Sequence, residues 1–145
     1  MFTGEYRHSI DEKGRLIIPA KIRQGLGEDI VITRGLDGCL FGYDKKSWEK
    51  LMEKLNSLPF TKRDVRYYNR FIASGACTLD FDKQGRINLP NYLMKHASLD
   101  KDVVIIGVSD HIEIWDSNNW DKFIEDNIDS LSDIAENLFN SGLDL

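Results

Sequence analysis

The sequence has few of the residues that catalysis or a disulfide scaffold would use. Cysteine occurs twice, at Cys39 and Cys77, and histidine three times, at His8, His96 and His111. Both cysteines sit inside strand-like runs, so they read as buried thiols of a reducing cytoplasm. The histidines fall in three different predicted elements, with no Cys, Asp or Glu at ligand spacing beside them, which argues against a metal centre. No phosphate-cradling glycine-rich motif and no nucleophile elbow is present. Asp80-Phe-Asp-Lys-Gln-Gly85 begins like a calcium loop. It has Asn91 where the twelfth position calls for Glu, however, and its flanks are strands. The residues predict no enzyme, no cofactor and no metal. Apolar stretches such as Val103–Val108 are far short of the roughly 20 residues that span a bilayer. The opening Met1-Phe-Thr-Gly-Glu-Tyr-Arg has no basic segment followed by an apolar one, so neither a secretory signal nor a membrane segment is expected.

What the chain does have is a repeat. Ile10-Asp-Glu-Lys-Gly-Arg-Leu-Ile-Ile-Pro19 returns as Phe81-Asp-Lys-Gln-Gly-Arg-Ile-Asn-Leu-Pro90, at an offset of 71 residues. Each copy reads as a strand end, a polar loop from Asp to Gly, an Arg opening the next strand, and a Pro that starts a helix. Around the first copy, residues 2–10 alternate as a half-buried strand. A short helix follows Pro19, ended by Gly25 or Gly27, and Ile30–Thr33 and Cys39–Tyr43 form a hairpin. A helix is capped by Asp44 and stopped at Leu58-Pro59. A second helix is predicted from Thr61 to about Ala73, with Val65, Tyr68, Phe71 and Ile72 inward and Arg63, Arg66 and Arg70 on another face. The first order of elements then recurs, ending in a helix from Asp116 with Trp120, Phe123, Ile124 and Ile128 inward.

Each unit is too small to bury a core alone, so the two are expected to interlock as one small pseudo-dimeric β-barrel of α+β class with flanking helices. The divisions expected are a first unit over 1–58, a connecting helix over 59–74, a second unit over 75–130 and an acidic, frayed tail over 131–145.

The net charge is −5, but it is unevenly spread: from Asp110 onward ten acids face one base, Lys122. The rest of the chain is therefore mildly basic, which leaves a phosphate-binding face possible. In the loops, Asp11 and Asp82 can accept bonds from loop amides or hold a guanidinium, and Gly14 and Gly85 can take positive φ. Arg15 and Arg86 then project from rigid strand ends, where a planar bidentate group can meet a phosphate or a guanine edge. Lys13 and Lys83 add point charge. Arg7, Lys21 and Arg23 extend a basic patch near the first loop, which ranks that loop as the stronger binder. A tight hairpin whose Asp and Arg merely pair in solvent is the alternative for one copy; two matching copies favour a binding role.

These residues resemble the MraZ family of bacterial transcription regulators, related in fold to the AbrB/SpoVT-type swapped-hairpin proteins. The resemblance rests on Phe2-Thr-Gly-Glu-Tyr-Arg-His-Ser-Ile-Asp11 running into Lys13-Gly-Arg15 and Ile18-Pro19, on the doubled Asp-x-x-x-Arg, and on Glu113-Ile-Trp-Asp116 leading to Trp120. It implies two tandem AbrB-like units and a ring-shaped, octamer-like homo-oligomer. It implies binding of double-stranded DNA at short G-rich direct repeats upstream of the division and cell-wall operon that contains the regulator's own gene, and hence a cytoplasmic, nucleoid-associated protein. The family's DNA-contacting motif maps onto Asp11, Gly14, Arg15, Asp82, Gly85 and Arg86, with Gln84 standing where the first loop has Lys13. An oligomeric protein-binding scaffold and an antitoxin-like module docking a toxin through 131–145 are the alternatives.

Overall fold

Alternating apolar residues give short strands here, and aspartates at fixed offsets start the long helices that follow them. The computed structural model describes residues 1–143. The first half contains β1 (Glu5–Ser9), β2 (Arg15–Ile17), α1 (Ala20–Leu26), β3 (Asp29–Arg34), β4 (Leu40–Tyr43) and α2 (Lys45–Asn56), followed by α3 (Arg63–Gly75). The second contains β5 (Cys77–Asp80), β6 (Arg86–Asn88), α4 (Asn91–His96), β7 (Asp102–Gly107), β8 (Ile112–Asp116) and α5 (Ser117–Asn127), then a 3-10 turn and α6 (Leu131–Asn140). Asp44 caps α2 by accepting from the Ser47 amide at 3.3 Å, and Asp116 caps α5 by accepting from Asn119 at 3.1 Å. Pro19 and Pro90 stand at the N-caps of α1 and α4. Among the described residues no helix is long and apolar enough to cross a membrane.

Six strands form one antiparallel sheet in the order β1-β7-β8-β4-β3-β5, and β2 and β6 pair as a separate ribbon. Exchanging each strand for its repeat counterpart reverses the sheet order onto itself, so the halves are related by a pseudo-twofold axis. That axis runs through the Phe41↔Glu113 pair of the sheet and the Leu16↔Ile87 pair of the ribbon. The outer strand of each half pairs with the other half's hairpin, β1 with β7 and β5 with β3. Leu16, Ile87, Ile22, Leu93, Ile32, Ile105, Ile112 and Ile114 form one buried cluster that joins ribbon, α1, α4 and sheet. Each such side chain contributes on the order of 1.5–3 kcal/mol on burial. On the opposite sheet face Cys39, Phe41, Tyr43 and Trp115 pack with Trp48 and Leu51 of α2 and Trp120 of α5.

Four expectations change. The sheet is open, with β1 and β5 at its edges, instead of a closed barrel; β2 and β6, which closure would need, are three residues long and pair with each other. Helix α3 begins at Arg63, two residues later than expected, with Lys62 and not Thr61 at its N-cap; the Thr61 carbonyl accepts from Arg66 Nη1 at 2.8 Å. Phe71 and Ile128, expected inward, are 60% and 54% exposed, and Phe123 and Ile124, also expected inward, are exposed too, since no element among the described residues covers them. The tail expected to fray is helical over Leu131–Asn140, with Leu131, Ile134 and Phe139 exposed; Asp144 and Leu145 lie outside the described residues.

The second cluster holds a titratable device. The His111 ring stacks on Tyr43 at 5.4 Å between centroids, meets Phe41 edge-on, and bonds Asp110 at 2.7 Å and Glu113 at 3.2 Å. Burial lowers its pKa, but the bonds to Glu113 and Asp110 prevail and hold it above the ordinary value. A histidine raised in the folded state stabilises fully below its ordinary value near 6.5, and that contribution is lost as pH rises through the raised one. The melting temperature of the wild-type protein should therefore exceed that of His111→Gln most below about pH 6.5, with the gap narrowing as pH rises. A gap that stays constant in melts from acidic to alkaline pH contradicts this.

Candidate nucleic-acid interface

Four residues from an Asp to an Arg can close a tight turn only if the carboxylate satisfies the turn's inward amides and the fourth residue tolerates positive φ. Both repeats do this in the same way. In the first loop, Asp11 Oδ1 accepts from the amides of Lys13 and Arg15, each at 2.9 Å, and its Oδ2 accepts from Arg15 Nε at 2.6 Å. In the second, Asp82 Oδ1 accepts from the amides of Gln84 and Arg86 at 2.9 Å, and Oδ2 from Arg86 Nε at 2.7 Å. Gly14 and Gly85 have φ of 79° and 76°. The Arg15 amide, aided by the Arg15 guanidinium and the Lys13 amide, outweighs desolvation and holds the Asp11 carboxyl below its ordinary range; Asp82 is lowered by the corresponding groups. Both aspartates are thus ionised at neutral pH. The Nε of each guanidinium is committed to its aspartate, and the Nη nitrogens have no hydrogen-bonded acceptor among the described residues.

The twofold arrangement makes the loops one surface. The Ile18 amide donates to Gly85 O at 3.0 Å, and the Leu89 amide donates to Gly14 O at 2.9 Å, so each tip is tied to the other half's strand end. Arg86 Nη1 comes to 4.0 Å from Asp11 Oδ2, bridging the loops directly. Lys13 and Lys83 are exposed at the tips.

Two residues of the expected basic patch lie elsewhere. Arg7, on β1, is fastened to α5: it donates to Asp121 Oδ1 at 2.7 Å and to Ser117 Oγ at 3.0 Å, and Glu5 beside it accepts from Trp120 Nε1 at 2.7 Å. Arg23, expected near the first loop, instead lies under the second. Its Nη1 donates to Ile18 O at 2.5 Å, and a Cβ placed on Gly85 would fall 2.0 Å from that nitrogen. The repeat offset contained this signal once the ribbon was known to be antiparallel, because each half's helix then lies beneath the other half's loop.

Of the arginine stripe on α3, Arg66 is bound to the Phe60 and Thr61 carbonyls, and Arg63 lies over Tyr67 at 4.8 Å. Beside it, a cavity of about 360 Å³ is lined by Arg34, Tyr67, Arg70, Phe71 and Ser74.

Comparison with known proteins agrees with the duplication. The family described as "MraZ protein, putative antitoxin-like" matches twice, over residues 1–71 and 72–141. The transcriptional regulator MraZ of Ligilactobacillus salivarius (strain UCC118) is 51% identical over 143 residues, covering 99% of this chain and 100% of that protein.

The two tip glycines should not be equally replaceable. Gly14→Ala meets Asn88 Oδ1 at 3.2 Å, whereas Gly85→Ala must also push the Arg23 guanidinium off Ile18. Positive φ alone costs about 1 kcal/mol at either site. Urea denaturation should therefore show Gly85→Ala the more destabilised; the reverse order contradicts the packing.

Proposed function

The chain belongs to the MraZ family, whose members are transcriptional regulators and not enzymes, and on that footing we propose that it binds double-stranded DNA through the paired loops. The observation that supports this reading is the matched pair of Asp-held arginines, Arg15 and Arg86, with their Nε edges occupied and no hydrogen-bonded acceptor on their Nη nitrogens among the described residues, Arg86 Nη1 making only the long 4.0 Å ion-pair contact with Asp11. That is the donor geometry for O6 and N7 of a guanine in the major groove. Lys13 and Lys83 meet the flanking phosphates, and Asp11, Asp82, Gly14 and Gly85 shape the loops. The preferred sites are short G-rich direct repeats upstream of the division and cell-wall operon that contains the regulator's own gene. The protein acts on the nucleoid, in the cytoplasm.

One loop pair is a weak grip. A good bidentate arginine contact contributes roughly 1–3 kcal/mol of discrimination, and a chain of net charge −5 gains little from non-specific attraction. Several copies held at fixed spacing raise the effective concentration of each loop pair over successive repeats. A ring-shaped, octamer-like homo-oligomer supplies that array. Two uncovered faces support assembly. The α3 face exposes Phe60, Tyr67 and Phe71 beside Lys62, Arg63, Arg66 and Arg70. The α5–α6 face exposes Phe123, Ile128 and Leu131 beside Glu125, Asp126, Asp129 and Asp133. Faces that differ from one another and carry opposite charge join head to tail, and such contacts close into rings when the rotation permits.

Arg15→Ala should abolish the gel shift of a repeat-bearing duplex at protein concentrations where the wild type saturates it, with the assembly's mass unchanged by light scattering. Wild-type affinity in that variant contradicts the reading, and a wild type with neither salt-dependent affinity for duplex nor a preference for repeats would favour the scaffold alternative. Phe71→Asp, at a site already exposed in the single chain, should lower the particle mass while the melting temperature of the protomer stays within a few degrees. An unchanged mass contradicts the proposed contact.

A further inference from the structure

The two loops match in backbone but not in the charge around them. The first contains Asp11, Glu12, Lys13 and Arg15, two acids against two bases. The second contains Asp82, Lys83, Gln84 and Arg86, one acid against two bases. The helix beneath each loop widens this difference. Arg23, on α1, packs its guanidinium against Gly85: a Cβ there would be 2.0 Å from its Nη1, 2.4 Å from its Cζ and 2.9 Å from its Nε. At the offset of 71 the position equivalent to Arg23 is Met94, and a Cβ on Gly14 would meet the Met94 Sδ at 3.8 Å. One tip therefore rests on a cation and the other on a thioether.

Arg23 is also set apart from the other arginines of the site. Arg15 and Arg86 each have an aspartate within 2.7 Å, whereas Arg23 forms no ion pair among the described residues. Its one bond is Nη1 to the Ile18 carbonyl, which leaves Nε and Nη2 without a protein acceptor among those residues. Unlike a surface lysine, it is held in place, by that carbonyl and by the face of a buried glycine. A half-buried guanidinium without a carboxylate, held against the loop with Nε and Nη2 free, can take an anionic oxygen from outside.

The geometry points to Arg23 as a phosphate-binding residue of the second loop, supplied by the first half of the chain, so that loop two anchors the DNA backbone. This deepens the DNA-binding reading and rests on it. The ranking drawn from sequence, which credited Arg23 to the first loop, is reversed for electrostatics. Phosphate contacts fix register and carry the salt dependence of binding, while base contacts specify. Loss of Arg23 should thus weaken all duplexes alike, whereas loss of Arg15 should remove the preference for repeats.

The test measures duplex affinity against salt for the full-length wild type, Arg23→Met, Arg23→Lys and Arg15→Ala, each on repeat-bearing and scrambled DNA, with thermal melts alongside. Arg23→Met copies the residue found under the other loop. It should flatten the plot of log affinity against log salt by about 1 for each subunit engaged, equally on both duplexes. Arg23→Lys keeps the charge and should keep the slope even if its melting temperature falls. A wild-type slope in Arg23→Met, with Arg15→Ala defective, overturns the role of Arg23 and leaves the DNA reading standing. If the wild type binds no duplex, both fall. Should Arg23→Met fail to fold, Met94→Arg decides: it should steepen the slope, and an unchanged slope overturns the inference.

Discussion

One carboxylate per loop holds the site together. Asp11 and Asp82 each accept two loop amides and one guanidinium edge. An exposed ion pair of this kind adds little to stability because solvent screens it, so its importance is geometric. An arginine carries about 2 kcal/mol of rotamer entropy. Tethering Nε to a rigid turn removes part of that freedom at folding, before any partner is met, and leaves the Nη donors without a hydrogen-bonded acceptor among the described residues. The positive φ of the glycine just before each arginine is the other half of the same constraint, because most side chains would be strained there.

The turns are held by the duplication in turn. Each glycine carbonyl receives an amide from the opposite half, and each outer strand pairs with the opposite hairpin. Leu16 and Ile87, facing one another on the pseudo-twofold axis, are almost fully buried; truncating either should cost on the order of 2–5 kcal/mol. A half-chain would lack both the core that supports its loop and the strand that fixes its tip. Acidic residues accumulate on α5 and α6, outside the ribbon that carries the loops, so a chain of net negative charge can still present a basic edge.

Much of this was legible in the sequence because the repeat made each assignment twice. The aspartates at 44 and 116 mark helix starts at equivalent places and both act as caps. The loops were legible because Asp, Gly and Arg at those spacings leave few alternatives. Arg23 was assigned to the wrong loop because nearness along the chain is a poor guide once two halves exchange strands: the helix that follows a loop lies under the other one. Arg7 was grouped with the loops by charge alone, whereas Ser117 and Asp121 of α5 claim it through contacts more than a hundred residues apart. Phe71 and Ile128 had helical spacing that predicts burial, and hydrophobic periodicity does not distinguish a face covered by the same chain from one left for another.

The central claim is that Asp-held arginines read guanine edges in the major groove, and methylation of guanine N7 by dimethyl sulfate reports on it directly. With wild-type protein bound to repeat-bearing DNA, the guanines of each repeat should be protected at N7. Binding that leaves every repeat guanine as reactive as in free DNA would contradict the account, because the arginines would then touch only the backbone.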